Sequence, residues 1–327
     1  MTASPLDDAT FELLKQRVGA IHLRQRLGIE RDREHRIFGQ GRTFFHVENW
    51  YSLRSIIRNS LRLVLLHGRA QRNARRIELR HNHIRLAGLP ERFDNFTLLQ
   101  LSDLHIDMAE DFPHVLIEAV REIDYDLCVL TGDFRGETYG PYEAALQGMQ
   151  RLRTQLEGDV YAVLGNHDTI CMVPALEAMG IRMLLNEHVQ LQRGDQSVYL
   201  AGIDDPHYYR ADNIEKAGDA IPEGAASILL THSPEIYQHA AHAGFDLMLC
   251  GHTHAGQVCL PGGVPVMCNA ACPRAFCAGA WTHHDLQGYT SAGSGACVVD
   301  LRLNCPPEIT LHHLHCASDA YAAQQAR

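Results

Sequence analysis

Five apolar runs in the chain each end in side chains that could bind a metal ion or transfer a proton. "FTLLQLS" is followed by "DLH", "DLCVLTG" by an aspartate, "VYAVLG" by "NHD", "SILLT" by a histidine and "DLMLCG" by "HTH". The metal-ligand types among them are Asp103, His105, Asp133, Asn166, His232, His252 and His254. This mixture of carboxylates, imidazoles and one amide suits manganese, iron or zinc. The sequence therefore predicts a site for divalent metal ions.

The spacing of these residues points the same way. Asp103 and His105 are separated by one residue, as are His252 and His254, and such residues share one side of an extended chain. Each pair could bind one ion, or the two histidines could bind neighbouring ions. Glycines beside the candidate ligands would let the backbone turn and approach an ion closely. They are Gly132, Gly165 and Gly251.

Each of these elements is weak by itself. The chain has 21 histidines, and an isolated histidine is more often an ordinary hydrogen-bonded residue than a ligand. Asp133 alone could be a turn residue, and Asn166 alone could be a cap. Five elements in the same structural context favour one common site.

The apolar runs themselves are typical of buried strands, because they are short, rich in β-forming residues and poor in charge. Candidate helices lie between them, at Pro113 to Ile123, Pro141 to Leu156 and Pro174 to Met179, with another starting at Ser233 as N-cap. This alternation predicts an α/β layered fold, in which ligands bind at the carboxyl edge of the strands. The late run "PEITLHHLH" is expected to add an edge strand.

The N-terminal part differs in character, since residues 1–92 indicate a helical, basic arm. From Trp50 to Leu66, apolar residues recur at helical spacing beside a stripe formed by Arg54, Arg58 and Arg62. Such a helix can lie on an anionic membrane surface, or it can pack its apolar face on the acidic body. Both interpretations stay open. Residues 50–80 are the candidate for peripheral membrane contact.

Charge and composition limit the classes of function. The net charge of −10 divides into +8 over residues 1–95 and −18 over residues 96–327. No apolar run approaches the length of a membrane-spanning helix, and the acidic start lacks the order of a secretory signal. We therefore expect a cytoplasmic protein, peripheral to the inner face of the membrane if the arm binds lipid.

Ten cysteines in 327 residues do not form the dense framework of a small secreted domain, so reduced thiols are expected. Four of them are close in sequence but lack the repeated C-x-x-C of a zinc site. They are Cys259, Cys268, Cys272 and Cys277, and packing is the favoured interpretation for them.

The blocks "DLH", "GD", "GNHD", "TH" and "GHTH", in this order, resemble the signature of the calcineurin-like metallophosphoesterases. The resemblance covers about residues 97–316, and all five blocks are intact. It implies a layered metallophosphoesterase fold of β-sheets flanked by helices. The chain would then divide into the arm at 1–92, a metallophosphoesterase domain at 93–316 and a tail at 317–327.

The resemblance also implies a role for each matching residue, with two divalent ions as cofactors and a phosphoester as substrate. One ion would be bound by Asp103, His105 and His254, the other by Asn166, His232 and His252, with Asp133 bridging the two. His167 would face the substrate, oriented by Asp168. A hydroxide between the ions would attack phosphorus, and His167 would protonate the leaving group or stabilise charge in the transition state.

The longer blocks "GHTHAGQVCLPGG" and "RLNCPPEITLHHL" resemble a bacterial branch of this family, whose members usually carry an N-terminal membrane anchor. That branch includes UDP-2,3-diacylglucosamine hydrolases and other enzymes of lipid-linked phosphodiesters or pyrophosphates. The basic arm is expected in place of the anchor. Ala255 replaces a glycine that is usual in the branch, which matters only where a positive φ is required.

Three functions follow for comparison. The first is hydrolysis of a lipid- or nucleotide-linked phosphodiester or pyrophosphate near a membrane. The second is a soluble phosphomonoesterase or cyclic-nucleotide phosphodiesterase with the same metals. The third is a scaffold without catalysis, which predicts missing ligands, whereas none is missing. Nucleic-acid binding by the arm is disfavoured, because aromatic residues are sparse after Tyr51.

Two groups of residues have weaker indications. Arg135 and Arg274 are candidate phosphate contacts, although arginines are mostly surface residues. Asp204, Asp205 and His207 follow a further strand and could line the pocket.

Overall fold

The computed structural model describes residues 6–38, 51–63 and 65–317. The helices are α1 (Asp8–Val18), α2 (Ala20–Phe38), α3 (Tyr51–Leu63), α4 (His67–Asn73), α5 (Phe112–Val120), α6 (Glu143–Arg153), α7 (Val173–Ala178), α8 (Ile214–Gly218) and α9 (Tyr237–His242). The strands are β1 (Glu78–Leu86), β2 (Phe96–Leu101), β3 (Leu127–Leu130), β4 (Val160–Ala162), β5 (Ile181–Met183), β6 (Glu187–Arg193), β7 (Gln196–Gly202), β8 (Ser227–Leu230), β9 (Leu247–Cys250), β10 (Cys259–Leu260), β11 (Val264–Pro265), β12 (Gly279–His283), β13 (Leu286–Thr290) and β14 (Glu308–Cys316). Trp50 and the predicted tail from 318 onward lie outside the described residues.

Two six-stranded sheets form the centre of the fold. The first has the order β1-β14-β2-β3-β4-β5, and the second has the order β12-β13-β9-β8-β7-β6. Neighbours β2 to β5 are parallel, as are β7, β8, β9 and β13. The carboxyl ends of β2, β3 and β4 therefore lie together, and so do those of β8 and β9.

The sheets pack face to face and helices cover their outer faces. Leu98 and Val129 of the first sheet share one buried cluster with Ile228 and Leu249 of the second. A second cluster joins the outer face of the first sheet to α5, α6 and α7, and a third joins the second sheet to α8 and α9. Because both faces of these strands are covered, their near-continuous apolar character is explained. The prediction of an α/β layered fold is confirmed.

The predicted strands and helices of the body are present, with two corrections. The run "PEITLHHLH" forms β14, but it lies between β1 and β2 and is not an edge strand. Its neighbour β1 falls inside the arm that was expected to be helical. The sequence "ELRHNHIRL" has little apolar alternation, so its strand state depends on parallel pairing with β14 along all nine residues.

The amphipathic helix α3 packs its apolar face on the body. Leu61 is buried in a small cluster with Ala70, Leu301 and Leu303, while Arg62 on the same helix is exposed. This contact fits the second of the two interpretations of the arm. Within the described ranges, no helix is both long enough and apolar enough to cross a membrane.

Ion pairs also join the basic arm to the acidic body. Arg17 of α1 pairs with Glu177 and Glu187, and Arg75, which follows α4, pairs with Asp111 and Asp300. The opposite charges of the two parts of the sequence are thus used, at least partly, in contacts between them.

Candidate metal centre

All seven predicted metal ligands meet at the carboxyl edge of the two sheets. The first sheet contributes the residues that follow β2, β3 and β4, and the second contributes those that follow β8 and β9. Each of the seven is buried. The loops are held in register beyond the strands, since the N–H of His105 donates to the carbonyl of Asp133 and that of Gly251 to the carbonyl of His232.

Asp133 lies at the centre of the group. Its Oδ2 is 3.2 Å from His232 Nε2 and 3.7 Å from His105 Nε2. Two sets of three ligand atoms lie within 4.8 Å of one another and share this residue: Asp103 with His105 and Asp133, and Asp133 with His232 and His252. On the other side, His254 Nε2 is 3.5 Å from Asp103 Oδ1. This arrangement could accommodate more than one ion.

Backbone carbonyls orient three of the imidazoles. His105 Nδ1 donates to the carbonyl of Arg135, His232 Nδ1 to that of Thr131 and His252 Nε2 to that of Asn269, at 2.8, 2.8 and 2.6 Å. Since a carbonyl can only accept, each of these nitrogens carries the proton. The lone pair of the neutral ring is then on the other nitrogen. Such outer hydrogen bonds fix the tautomer and ring angle of metal-binding histidines.

Two contacts among the inner atoms differ in their hydrogen bonding. His254 Nδ1 accepts from Arg302, so His254 Nε2 can donate to His105 Nε2 at 3.1 Å. His232 Nε2 and Asn166 Oδ1, which are 2.9 Å apart, are both acceptors when the imidazole is neutral, and they repel one another unless a proton or a metal ion lies between them. Burial would lower the pKa of His232, but Asp133 and then Asp103 raise it to about 10. The donor set therefore fits divalent ions, because such ions would take the place of this proton.

The carboxylates respond to the same surroundings. Burial opposes ionisation of Asp133, yet His232, His167 and His105 hold its pKa well below the usual range. Burial raises the pKa of Asp103 to about 6, with Asp133 adding to the shift against the effect of His232. Asp133 is thus the carboxylate best held in the anionic form that binds a cation.

The ligand loops are not extended, which corrects the reason given for the spacing. Positive φ angles occur at Asp103 (50°), His105 (40°), Asp133 (57°), His252 (71°) and His254 (49°). Non-glycine residues adopt this left-handed region rarely, and such strained residues cluster at functional sites. Ala255 also has a positive φ, of 48°, so the position where the bacterial branch usually has glycine does require one.

Three glycines allow the close approach that was predicted. A Cβ at Gly165 would lie 2.2 Å from Asp133 Oδ1, and one at Gly251 would lie 1.9 Å from Ser102 Oγ. Gly132 has a φ of 88°, and a Cβ there would lie 2.6 Å from the nitrogen of Gly165. Each position leaves no room for a side chain beside the ligands.

His167 and Asp168 lie next to the ligands. The ring of His167 is 4.9 Å from that of His105, and its Nδ1 is 3.3 Å from Thr138 Oγ1. The Asp168 carboxylate accepts hydrogen bonds from the N–H groups of Asp133, Phe134 and Gly165. It therefore braces the two loops that carry Asp133 and Asn166.

The arm reaches this part of the site. Arg26 of α2 is completely buried, pairs with Asp204 and donates to the carbonyl of Asp168 at 3.0 Å. One turn later, Glu30 accepts from the hydroxyl of Thr169 and from the N–H of Ile170. Helix α2 thus contacts the loop that follows His167.

Arg135 is not at the surface, where arginines mostly lie. Its side chain is buried and donates to the carbonyls of His167, Thr138 and Gly140. It orders the loop beside His167. Arg274 is exposed and donates to the carbonyl of Pro265.

Three residues that support the site were not predicted from the sequence: Arg302, Gln257 and Cys297. Buried Arg302 donates to the carbonyls of His254, Gly293 and Gly295 and lies 3.0 Å from His254 Nδ1. Gln257 donates to the carbonyls of Cys297 and Val299. Cys297 Sγ is 3.6 Å from His167 Nε2. Gln257 lies in the block "GHTHAGQVCLPGG" and Arg302 in the block "RLNCPPEITLHHL", and these blocks were the only indication that the two residues belong to the site.

Asp205, one of the residues that could line the pocket, has a structural role. Asp205 accepts from the N–H groups of His207, Tyr208 and Tyr209. His207 contacts the site itself, because its ring is 4.1 Å from that of His252. The four cysteines singled out in the sequence are free thiols, and the Sγ atoms of Cys272 and Cys277 are 3.8 Å apart.

A groove of about 360 Å³ opens from the ligands. Asp133, Asn166 and His167 lie at its base. Its walls are mostly apolar and come from α3, from the segment after His254 and from the segment after Gly295. They include Ile57, Val258, Val266, Met267, Val298 and Val299.

Comparisons with known proteins agree with this site. Residues 96–256 match the family described as calcineurin-like phosphoesterase. The uncharacterised metallophosphoesterase YkoQ of Bacillus subtilis (strain 168) is 31% identical over 237 residues, which are 69% of this chain and 86% of that protein.

Two further relatives are more distant. A transmembrane protein with metallophosphoesterase domain from Danio rerio is 27% identical over 242 residues, covering 68% of this chain and 54% of that protein. Phosphodiesterase YaeI of Escherichia coli (strain K12) is 26% identical over 251 residues, covering 70% and 86%. The chain therefore belongs to the calcineurin-like phosphoesterase family and is a metal-dependent phosphoesterase.

Proposed function

We propose that the chain hydrolyses a phosphodiester or pyrophosphate bond with two divalent ions, manganese, iron or zinc. The observation that carries this proposal is the sharing of Asp133 by two sets of ligand atoms, each within 4.8 Å. A carboxylate that belongs to both sets is suited to bridge two ions. Asp103, His105 and His254 would hold one ion, and Asn166, His232 and His252 would hold the other.

When bound, the two ions supply Lewis acidity toward the phosphate and a water activated for attack. The protein residues do the rest. His167, at the base of the groove beside the ligands, donates a proton to the departing oxygen. Asp168 keeps the loops of Asp133 and Gly165 in place through its three backbone hydrogen bonds, and so positions His167.

The apolar groove supports a substrate with an apolar or planar group attached to the phosphate, as in a lipid- or nucleotide-linked diester. A purely inorganic or sugar monoester would leave its valine and methionine walls in contact with water. Phosphodiesterase YaeI, by its name, acts on diesters, which favours the same bond.

The surface around the groove supports contact with an anionic membrane. Six exposed, large apolar residues lie on or next to α3 and the β10–β11 hairpin: Leu63, Leu65, Leu260, Val264, Val266 and Met267. Exposed Arg58 and Arg62 lie on the same helix. Apolar side chains bordered by arginines suit the interface of an anionic bilayer. The Danio rerio relative is named a transmembrane protein.

The first experiment measures initial rates of manganese-loaded protein on bis-p-nitrophenyl phosphate and on p-nitrophenyl phosphate. We expect a clear preference for the diester. A preference for the monoester would replace the proposal with a phosphomonoesterase. No rate on either substrate, with both metal sites empty, would indicate a scaffold.

The second experiment compares Val266→Ser/Met267→Ser with Leu13→Ser/Ile21→Ser, a pair of equally exposed apolar residues on α1 and α2. Co-sedimentation with anionic and neutral vesicles should show weaker anionic binding only for the first pair. The melting temperature of both variants should stay near that of the unchanged protein, which shows that they are folded. Equal binding by both pairs would exclude the groove rim as the membrane contact.

A further inference from the structure

A second group of imidazoles lies on the surface of the first sheet, and the phosphoesterase mechanism does not use it. His83 of β1 lies opposite His313 of β14, while His81 and His315 lie two residues away on the same face of the two strands, opposite Leu311 and Arg85. We call these four residues the histidine ladder. His81 and His83 are exposed, and His313 and His315 are half-buried.

The four rings form a continuous stack. Ring centroids are 5.2 Å apart for His81 and His313, 4.6 Å for His313 and His83 and 5.3 Å for His83 and His315. Planes within the stack are inclined by 21°, 13° and 10°. Nearly parallel imidazoles on two hydrogen-bonded strands form an ordered array rather than four independent surface side chains.

Nitrogen atoms face each other in two diagonal cross-strand pairs of the ladder. His81 Nδ1 is 2.9 Å from His313 Nε2, and His83 Nδ1 is 3.0 Å from His315 Nε2. A metal–nitrogen bond of about 2.0–2.1 Å places two ligands at a right angle about 2.9 Å apart, and tetrahedral ligands about 3.3–3.4 Å apart. The observed separations thus match neighbouring positions on a tetragonal or octahedral ion. Such geometries are typical of Cu²⁺ and Ni²⁺ with nitrogen ligands.

The ladder is at the opposite end of the sheet from the catalytic ligands. Strand β14 is antiparallel to β2, and His313 lies opposite Thr97, near the start of β2, whereas Asp103 follows its end. A ligand bound at the ladder therefore does not share residues with the metal centre.

The surroundings of His313 favour its neutral form. Burial lowers the pKa of His313, and the neighbouring imidazoles of His83, His81 and His315 lower it further. Neutral imidazole is the form that binds metals. Rotation of the two solvent-accessible rings of a pair would direct a lone pair of each toward one ion.

We propose that the histidine ladder binds Cu²⁺ or Ni²⁺, with one ion held by each cross-strand pair and water in the remaining coordination positions. The geometry assigns His81 and His313 to one ion and His83 and His315 to the other. This is a site distinct from the catalytic one, for a late transition-metal cation.

The test uses the full chain, untagged and loaded with Mn²⁺, and titrates it with Ni²⁺ by calorimetry. Three double variants each remove two histidines. His83→Gln/His313→Gln breaks both pairs, His81→Gln/His313→Gln removes one pair and keeps the other, and His283→Gln/His284→Gln is a control at another neighbouring pair, with rings 4.3 Å apart. Binding to the catalytic centre is common to all and cancels in the comparison.

We expect at least tenfold weaker Ni²⁺ binding outside the catalytic centre when both pairs are broken. The variant that keeps His83 and His315 should lose about half of the ladder-bound ions, and the control should lose none. Unchanged melting temperature and diester hydrolysis show that each variant is folded. Binding equal to that of the unchanged protein when both pairs are broken would overturn the site. An equal loss in the first two variants would overturn the assignment of one ion to each pair.

Discussion

The motif His-x-His occurs at two contrasting places in this fold. In "HTH", His252 and His254 follow the end of β9, are buried and have positive φ angles. In "HNH" and "HLH", the histidines lie within β1 and β14, and their contacts are mainly with each other. The same spacing therefore yields inward ligands where the backbone leaves the strand and a surface array where it continues.

The difference lies in what surrounds the imidazoles. His252 and His254 are fixed by a carbonyl and by the buried guanidinium of Arg302, and carboxylates face them. The ladder has neither: its rings contact other rings in solvent. Backbone conformation and outer hydrogen bonds, more than residue spacing, decide whether two histidines form a preorganised metal centre.

The strongest test of this comparison concerns Asp133, because the metal centre has this carboxylate and the histidine ladder has none. Asp133→Asn removes the negative charge shared by both ligand sets, so metal content should fall and the rate on the diester should drop by on the order of 10³ or more. Metal analysis and initial rates measure this. Asp246→Asn, at a carboxylate that accepts from Ser227 far from the site, is the control and should keep activity. Full metal content in Asp133→Asn would contradict the central role of Asp133.

His167 separates binding from chemistry within the same cluster. His167→Ala should lose about 100-fold in rate, a general-acid contribution, while both ions stay bound. His105→Ala should lose metal as well as rate, because His105 belongs to the ligand set. Loss of metal in His167→Ala would show that His167 is a ligand and not a proton donor.

The body and its ligands could be predicted from the sequence because each signal is local. An apolar run forms a strand, and the polar residues just after it, such as Asp103 or His232, lie at its carboxyl end. No comparable local signal marks β1, whose strand depends on β14 more than 200 residues away. Arg302 and Cys297 are also brought to the site only by tertiary structure. The left-handed φ of His252 could not be read from a motif that is equally compatible with a strand.

Substitution of Arg302 tests whether hydrogen bonds from outside the ligand set distinguish the metal centre from the histidine ladder. Arg302→Gln leaves the carbonyls of Gly293, Gly295 and His254 short of donors in a buried site, so the free energy of unfolding should fall by about 2–4 kcal/mol. Denaturant unfolding measures it. Arg274→Gln, at an exposed arginine, should change it by less than about 0.5 kcal/mol. Similar values for both would mean that Arg302 is not needed to hold the loop.

The smallest expected effect concerns the backbone alone. Ala255→Gly relieves a left-handed alanine at φ 48°, ψ 28°, and should raise the free energy of unfolding by up to about 1 kcal/mol, net of the added chain entropy. Ala119→Gly, in α5, should lower it by about 0.5–1 kcal/mol. Thermal unfolding distinguishes the two signs. A loss at both positions would mean that the neighbouring contacts of the Ala255 methyl outweigh its strain. Side-chain packing would then stabilise the left-handed backbone of the "HTH" loop, just as pairing of β1 with β14 stabilises the extended backbone of the ladder.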